Sequence, residues 1–142
     1  MANAKDMIMR AVTGFHRAVF QVSNGRLANR GNGMPVLQLT TAGRKTGKRR
    51  TTMLTSPVQD GDRMVVVASN GGDDRQPKWL LNLRDDPKVE VTMEGRTRPM
   101  QARVASVGEK AELWPRVVAA HRGYAQYQTR TNRDIPVVIL EP

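Results

Sequence analysis

The sequence predicts an α+β fold: a small β-barrel of about six mostly antiparallel strands with peripheral helices, preceded by an amphipathic N-terminal helix. Three observations carry this expectation. From Met34 onward, short apolar runs are separated by tight turns built from Gly, Asp and Asn, as in hairpins. Helical and extended patterns do not alternate regularly, which argues against a doubly wound parallel sheet. The 142 residues suit one domain with a single core, which can fold without metal or disulfide staples.

The elements follow in order. Ile8, Val12, Phe15, Val19 and Val22 recur at three- and four-residue steps and mark one face of a helix. Asn24-Gly25 and Gly31-Asn32-Gly33 stop it and read as a linker, so residues 1–33 are taken as helix and linker and 34–142 as the barrel. Val36, Leu37 and Leu39 form a strand that enters a basic loop, and a second extended stretch spans Arg50 to Val58. Asp60-Gly61-Asp62 turns into the apolar run Met64–Ser69, expected as a central strand. Pro77 opens a short helix with Trp79, Leu80 and Leu83 on its buried side, and Asp86-Pro87 ends it. Lys88–Met93 and Arg96–Val107 form a hairpin about Glu94-Gly95. An amphipathic helix over Glu109–His121, a break at Gly123, and a last strand over Pro136–Leu140 complete the chain.

Composition restricts the chemistry. The absence of cysteine excludes disulfides, thiolate metal sites and cysteine nucleophiles. Two histidines, His16 and His121, argue against a histidine-rich metal centre. No metal is therefore expected, and the chemistry is expected to come from a bound organic cofactor. The formal net charge of +10 attracts polyanions, whether nucleic acid, an anionic membrane or a multiply charged small ligand. Two Phe, two Trp and two Tyr provide few stacking platforms for a single-strand binder. Composition alone does not settle the partner, but the basic residues are spread over the loop, the N-terminal segment and Arg84, Arg96, Arg98 and Arg103, which ranks nucleic acid low. No apolar run reaches the roughly 20 residues of a membrane span, and the N-terminus has no secretory signal pattern. A cytoplasmic protein is expected. The N-terminal helix has a basic amphipathic composition that could also rest on the inner face of the membrane, although such stripes more often face a core.

Four features could carry chemistry. In Gly43-Arg44-Lys45-Thr46-Gly47-Lys48-Arg49-Arg50, two glycines allow sharp turning while Arg44, Lys45 and Arg50 offer charged donors for an anion. The loop lacks the spacing of a Walker motif. Taken alone it reads equally well as a solvated hairpin. Ala68-Ser69-Asn70-Gly71-Gly72 ends the most apolar strand in a way that lets a planar ring approach the backbone, or makes an ordinary turn. Trp79 reads first as a core anchor, and Asn82, three residues on, can cap backbone groups or reach a ligand. Tyr124 and Tyr127 can hydrogen-bond a bound carbonyl or supply a proton, or simply pack.

Taken in this order, the features resemble the deazaflavin-dependent nitroreductase family, a branch of the split β-barrel flavin and deazaflavin oxidoreductases. The matching runs are Leu39–Gly47, Val67–Gly72, Trp79–Leu83, Asp86–Val89, Tyr124–Gln128 and Ile135–Pro142. The resemblance implies a split barrel that binds coenzyme F-420, a deazaflavin with a phosphate and a glutamate tail. It makes Arg44, Lys45 and Arg50 the tail contacts, and Ser69 with the backbone of Ala68 and Asn70 the ring contacts. Trp79 and Asn82 would line the groove, and Tyr124 and Tyr127 would cover the acceptor side. Members often carry lysine at the position of Asn70, tyrosine at that of His121 and an aromatic residue at that of Thr55. The implied reaction is hydride transfer to a small acceptor such as a quinone, conjugated enone or nitroaromatic. Tyr124, Tyr127 or Ser69 are the candidate proton donors. The alternatives are a non-catalytic F-420 carrier, an FMN-binding oxidoreductase and, below these, a nucleic-acid binder. Both monomer and homodimer fit the sequence.

Overall fold

The structure is a computed structural model and describes residues 30–142. The predicted N-terminal amphipathic helix lies outside the described residues. Among the described residues, eight strands are present rather than about six: β1 (Arg30–Gly31), β2 (Met34–Ala42), β3 (Arg49–Thr55), β4 (Val58–Asp60), β5 (Arg63–Val67), β6 (Lys88–Met93), β7 (Arg96–Val104) and β8 (Val137–Glu141). Three helices accompany them: α1 (Lys78–Asp85), α2 (Val107–Ala120) and α3 (Gly123–Thr129). All strand pairings are antiparallel.

Two local signals account for the higher count. The Asn32-Gly33 pair, expected within a linker, joins β1 to β2 as a two-residue hairpin with Gly31 opposite Met34. Both turn residues have positive φ, 52° and 78°, the conformation Asn-Gly adopts most readily. The stretch expected as one strand from Arg50 to Val58 divides at Ser56-Pro57. There the buried Ser56 hydroxyl donates to the Val58 and Val65 carbonyls, at 3.0 and 2.7 Å, which fixes the start of the β4–β5 hairpin. The Glu94-Gly95 turn falls where the sequence placed it, with Met93 opposite Arg96.

The sheet runs β1-β2-β6-β7-β8-β5-β4, with β3 also pairing β2. It curls into a half-barrel whose open seam lies between β3 and the β4–β5 end. Each face carries its own apolar cluster. Leu37, Leu39, Met64, Val66, Val91 and Leu140 pack against Trp79, Leu80 and Leu83 of α1. Val65, Val67, Val137 and Ile139 face the other way, against Leu113 and Val117 of α2 and Tyr124 of α3. Strand β5 is thus buried on both faces, which explains its unbroken apolar sequence.

Helix α2 starts two residues earlier than expected. Ser106 and Glu109 form a reciprocal capping box: the Ser106 Oγ accepts from the Glu109 N–H at 3.2 Å, and the Glu109 carboxylate accepts from the Ser106 N–H at 3.0 Å. This S-x-x-E spacing is a helix-start signal present in the sequence. Pro77 occupies the N-cap of α1, one residue before the first helical position. Among the described residues, no helix is long and apolar enough to cross a membrane.

Candidate active site

A cleft of about 340 Å³ opens at the seam of the sheet. Met53, Leu54 and Thr55 of β3 form one bank. Val67, Ser69 and Gly71, at the end of β5, form the other. His121, Tyr124 and Tyr127 close it on the helical side, and Asn32 and Met34 from the β1–β2 hairpin close it at the end. The volume falls within the range of small-molecule sites. The cleft therefore brings together Ser69, Tyr124 and Tyr127, all three of the predicted catalytic residues.

Tyr124 is the most constrained of these. Its ring is buried, and its hydroxyl lies 3.0 Å from Thr55 Oγ1 and donates weakly to Met34 Sδ at 3.9 Å. Burial raises its pKa above the ordinary phenol value, while the Thr55 hydrogen bond opposes and the nearby Tyr127 adds to the rise. The Tyr124 and Tyr127 rings meet edge to face, with centroids 6.0 Å apart, and Arg130 sits 5.5 Å over the Tyr127 ring.

The basic loop lies at the other end of the β2–β3 hairpin. Its backbone closes on itself: the Gly43 N–H donates to the Lys48 carbonyl and the Gly47 N–H to the Gly43 carbonyl, each at 2.7 Å. The Lys48 N–H donates to Thr46 Oγ1, and the Arg44 N–H to Asn82 Oδ1. Those four amides are engaged within the protein and shape the loop. The charged side chains of the loop are not equivalent. Arg49 is held by Glu90 in a bidentate pair at 2.7 and 3.1 Å. Arg44, Lys45 and Arg50 are exposed and form no ion pair among the described residues. A Cβ at Gly43 would lie 3.2 Å from the Lys48 carbonyl and 3.3 Å from Thr46 Oγ1, so the closed loop is tight around this glycine.

The remaining predicted contacts are placed as follows. Asn82 is buried, and both ends of its amide are engaged: Oδ1 accepts from Arg44 N–H and Nδ2 donates to Thr41 Oγ1, each at 3.1 Å. It ties the basic loop to α1. Trp79 is buried within the α1 cluster and lies outside the cleft lining. Asn70 is exposed with φ 46°, and its side chain donates to the Arg75 carbonyl. Ala68 is fully buried, with its N–H given to the Pro136 carbonyl.

Arg133 was not singled out from sequence. Its guanidinium donates to the carbonyls of Ala68 (3.1 Å), Ser69 (2.9 Å) and Asp73 (2.9 Å), and to Gln76 Oε1 (2.9 Å). It grips the whole strand-end turn that forms one bank of the cleft. A lone arginine between Asn132 and Asp134 carries no sequence signal for this role. Gly72 is the complement. It has φ +85°, and a Cβ there would come within 2.8 Å of the Tyr127 carbonyl and 2.9 Å of Arg130 Cβ, so only glycine lets the turn dock on α3.

The curled antiparallel half-barrel with a cleft at its seam is the split β-barrel fold of flavin and deazaflavin oxidoreductases. The chain belongs to the F420H(2)-dependent quinone reductase family, which matches residues 11–142. It is 40% identical over 129 residues to an F420H(2)-dependent quinone reductase of Mycobacterium tuberculosis (strain ATCC 25618 / H37Rv), covering 88% of this chain and 86% of that protein. Among solved structures it is similar to an F420-H2 dependent reductase, FDR-A, with 38% identity and a TM-score of 0.68 over 75% of this chain and 94% of the other. A second structure, described as a domain-swapped dimer, matches at 31% identity and a TM-score of 0.71, over 98% of this chain and 100% of the other.

Proposed function

We propose that this chain is an F420H2-dependent quinone reductase. Arg44, Lys45 and Arg50 hold the phosphate-bearing tail, and the deazaflavin ring lies at the seam against Ser69 and the adjoining backbone of Ala68 and Asn70. One observation carries the reading: the unpaired cations Arg44, Lys45 and Arg50 gather where the basic loop enters β3, and the cleft lies at the other end of that strand. From Arg50 to Thr55 that strand extends about 17 Å at roughly 3.4 Å per residue. An elongated cofactor with an anionic tail fits this separation, whereas a compact ligand would use only one end. Asn82 contributes by fixing the loop, and Trp79 by anchoring α1 on the sheet.

When bound, reduced F-420 supplies a hydride for a quinone acceptor. The cleft walls Met34, Val36, Met53 and Leu54 exclude water from that acceptor. The Tyr124 hydroxyl, kept protonated by burial, is placed to donate a hydrogen bond to an acceptor oxygen as negative charge develops there. Thr55 and Met34 restrict its rotation. Ser69, whose carbonyl is held by Arg133, presents its side chain to the same space.

The test is oxidation of reduced F-420 by menadione, with binding followed separately by F-420 fluorescence. Micromolar binding and many turnovers are expected, with FMN competing poorly. Binding with at most one turnover would make the protein a carrier, and failure to bind would remove the reading. The dimeric relative makes a homodimer the assembly to look for by light scattering.

A further inference from the structure

His121 lines the cleft beside Tyr124 and Tyr127, with ring centroids 5.4 and 6.4 Å away. Its seat is built by the residue two positions on. Gly123 is not needed for backbone conformation, since its φ is not positive. A Cβ at Gly123 would collide with the His121 imidazole, at Nε2 above all. The glycine is thus a space left for the ring. Among the described residues, the titratable side chains lining the cleft are His121, Tyr124 and Tyr127, with no carboxylate, lysine or arginine. The flanking Arg122 is exposed, and Arg130 lies over the Tyr127 ring. Imidazole is the side chain whose ordinary titration lies near neutral pH. Among the described residues lining the cleft, His121 is the side chain whose two ring nitrogens can take part in proton transfer to a bound oxyanion.

We propose that His121 is a catalytic residue, the proton donor to the reduced acceptor. This rests on the reductase reading above. The quinone takes a hydride, with its two electrons, from the reduced deazaflavin, which is thereby oxidised. The resulting hydroquinone monoanion takes a proton from a ring N–H of the His121 imidazolium. A new O–H bond forms, the imidazole is left neutral, and solvent restores its proton. The Tyr124 hydroxyl supports the same oxyanion by hydrogen bonding while keeping its own proton.

The test pairs kinetics with a binding measurement that needs no turnover. In the wild-type protein, kcat/KM for menadione should fall as pH rises through the imidazole range. His121→Gln should lower it about 10²-fold and abolish that limb. Gly123→Ala, which retains the histidine but fills its seat, should weaken the limb in the same direction. Separately, 2-hydroxy-1,4-naphthoquinone, an anion at neutral pH, is titrated into the full chain without reductant. Its affinity should fall with rising pH, and NMR should show the His121 titration displaced upward on binding. A kinetic limb that survives in His121→Gln, or a wild-type affinity indifferent to pH with His121 resonances unmoved by the anion, would overturn the proposal. The wild-type binding and NMR arm stands even if the variants fail to fold. Absence of F-420 oxidation with intact, pH-linked anion binding would instead sink the reductase reading and leave the histidine's role in binding the anion.

Discussion

Tyr124 shows how one side chain serves both packing and chemistry. Its ring belongs to the cluster shared by β5, β8, α2 and α3, and its hydroxyl is set against Thr55. Tyr124→Phe should keep the ring contacts, cost about 1 kcal/mol for the lost hydrogen bond, and lower kcat about tenfold with little change in KM. Steady-state kinetics and a denaturant melt check this. The pH dependence has a definite sign. The folded phenol titrates above its unfolded value of about 10, because burial disfavours the anion. Its contribution is present at neutral pH and is lost as pH rises through the folded value. The wild-type advantage over Tyr124→Phe should therefore shrink only in alkali.

Elements meet at points where a single substitution has consequences beyond its own position. The strand-end turn Asn70–Gly72 is clamped between Arg133 and α3. Gly72→Ala imposes a side chain at φ +85° against Tyr127 and Arg130. It should destabilise by more than about 1 kcal/mol and shift both Ser69 and Tyr127, so F-420 affinity and kcat should fall together. Unchanged binding and turnover in a destabilised protein would separate the turn from the site. At the start of α2, the Arg103 guanidinium and, next, the Ser106 N–H hold the Glu109 carboxyl down to about 2. A depressed folded value contributes stability that is present above the ordinary carboxyl pKa and is lost as pH falls towards 2. Glu109→Gln should lower Tm at neutral pH, and that difference should close on acidification. Thermal melts between pH 7 and 2.5 test it.

Across the molecule, the +10 charge is less informative than its distribution. Several cations are spent on internal pairs: Arg49 on Glu90, Arg103 on Glu109 and Glu141, Arg116 on Asp60 and Lys110 on Asp134. Those left at the basic loop are the ones expected to bind. Arg50→Ala or Lys45→Ala should weaken F-420 binding about 10- to 100-fold, and raised salt should weaken the wild type. Arg49→Ala should change it little, because exposed pairs contribute little to stability and this one faces Glu90. Equal losses at Arg49 and Arg50 in a fluorescence titration would refute that division.

The sheet's antiparallel character, the Glu94-Gly95 hairpin, the apolar β5 and the ordered motifs of a deazaflavin-binding family were all legible in the chain, because each depends on residues close in sequence. Asn32-Gly33 and the Ser106–Glu109 box are equally local signals, of a hairpin turn and of a helix start. Which cations remain unpaired, how both ends of the Asn82 amide are engaged, and that Arg133 holds Ala68 and Ser69 depended on how the sheet curls. The same closure sets His121 in one cleft with Ser69. Contacts between such distant positions are fixed by packing of the whole barrel, and no local pattern encodes them.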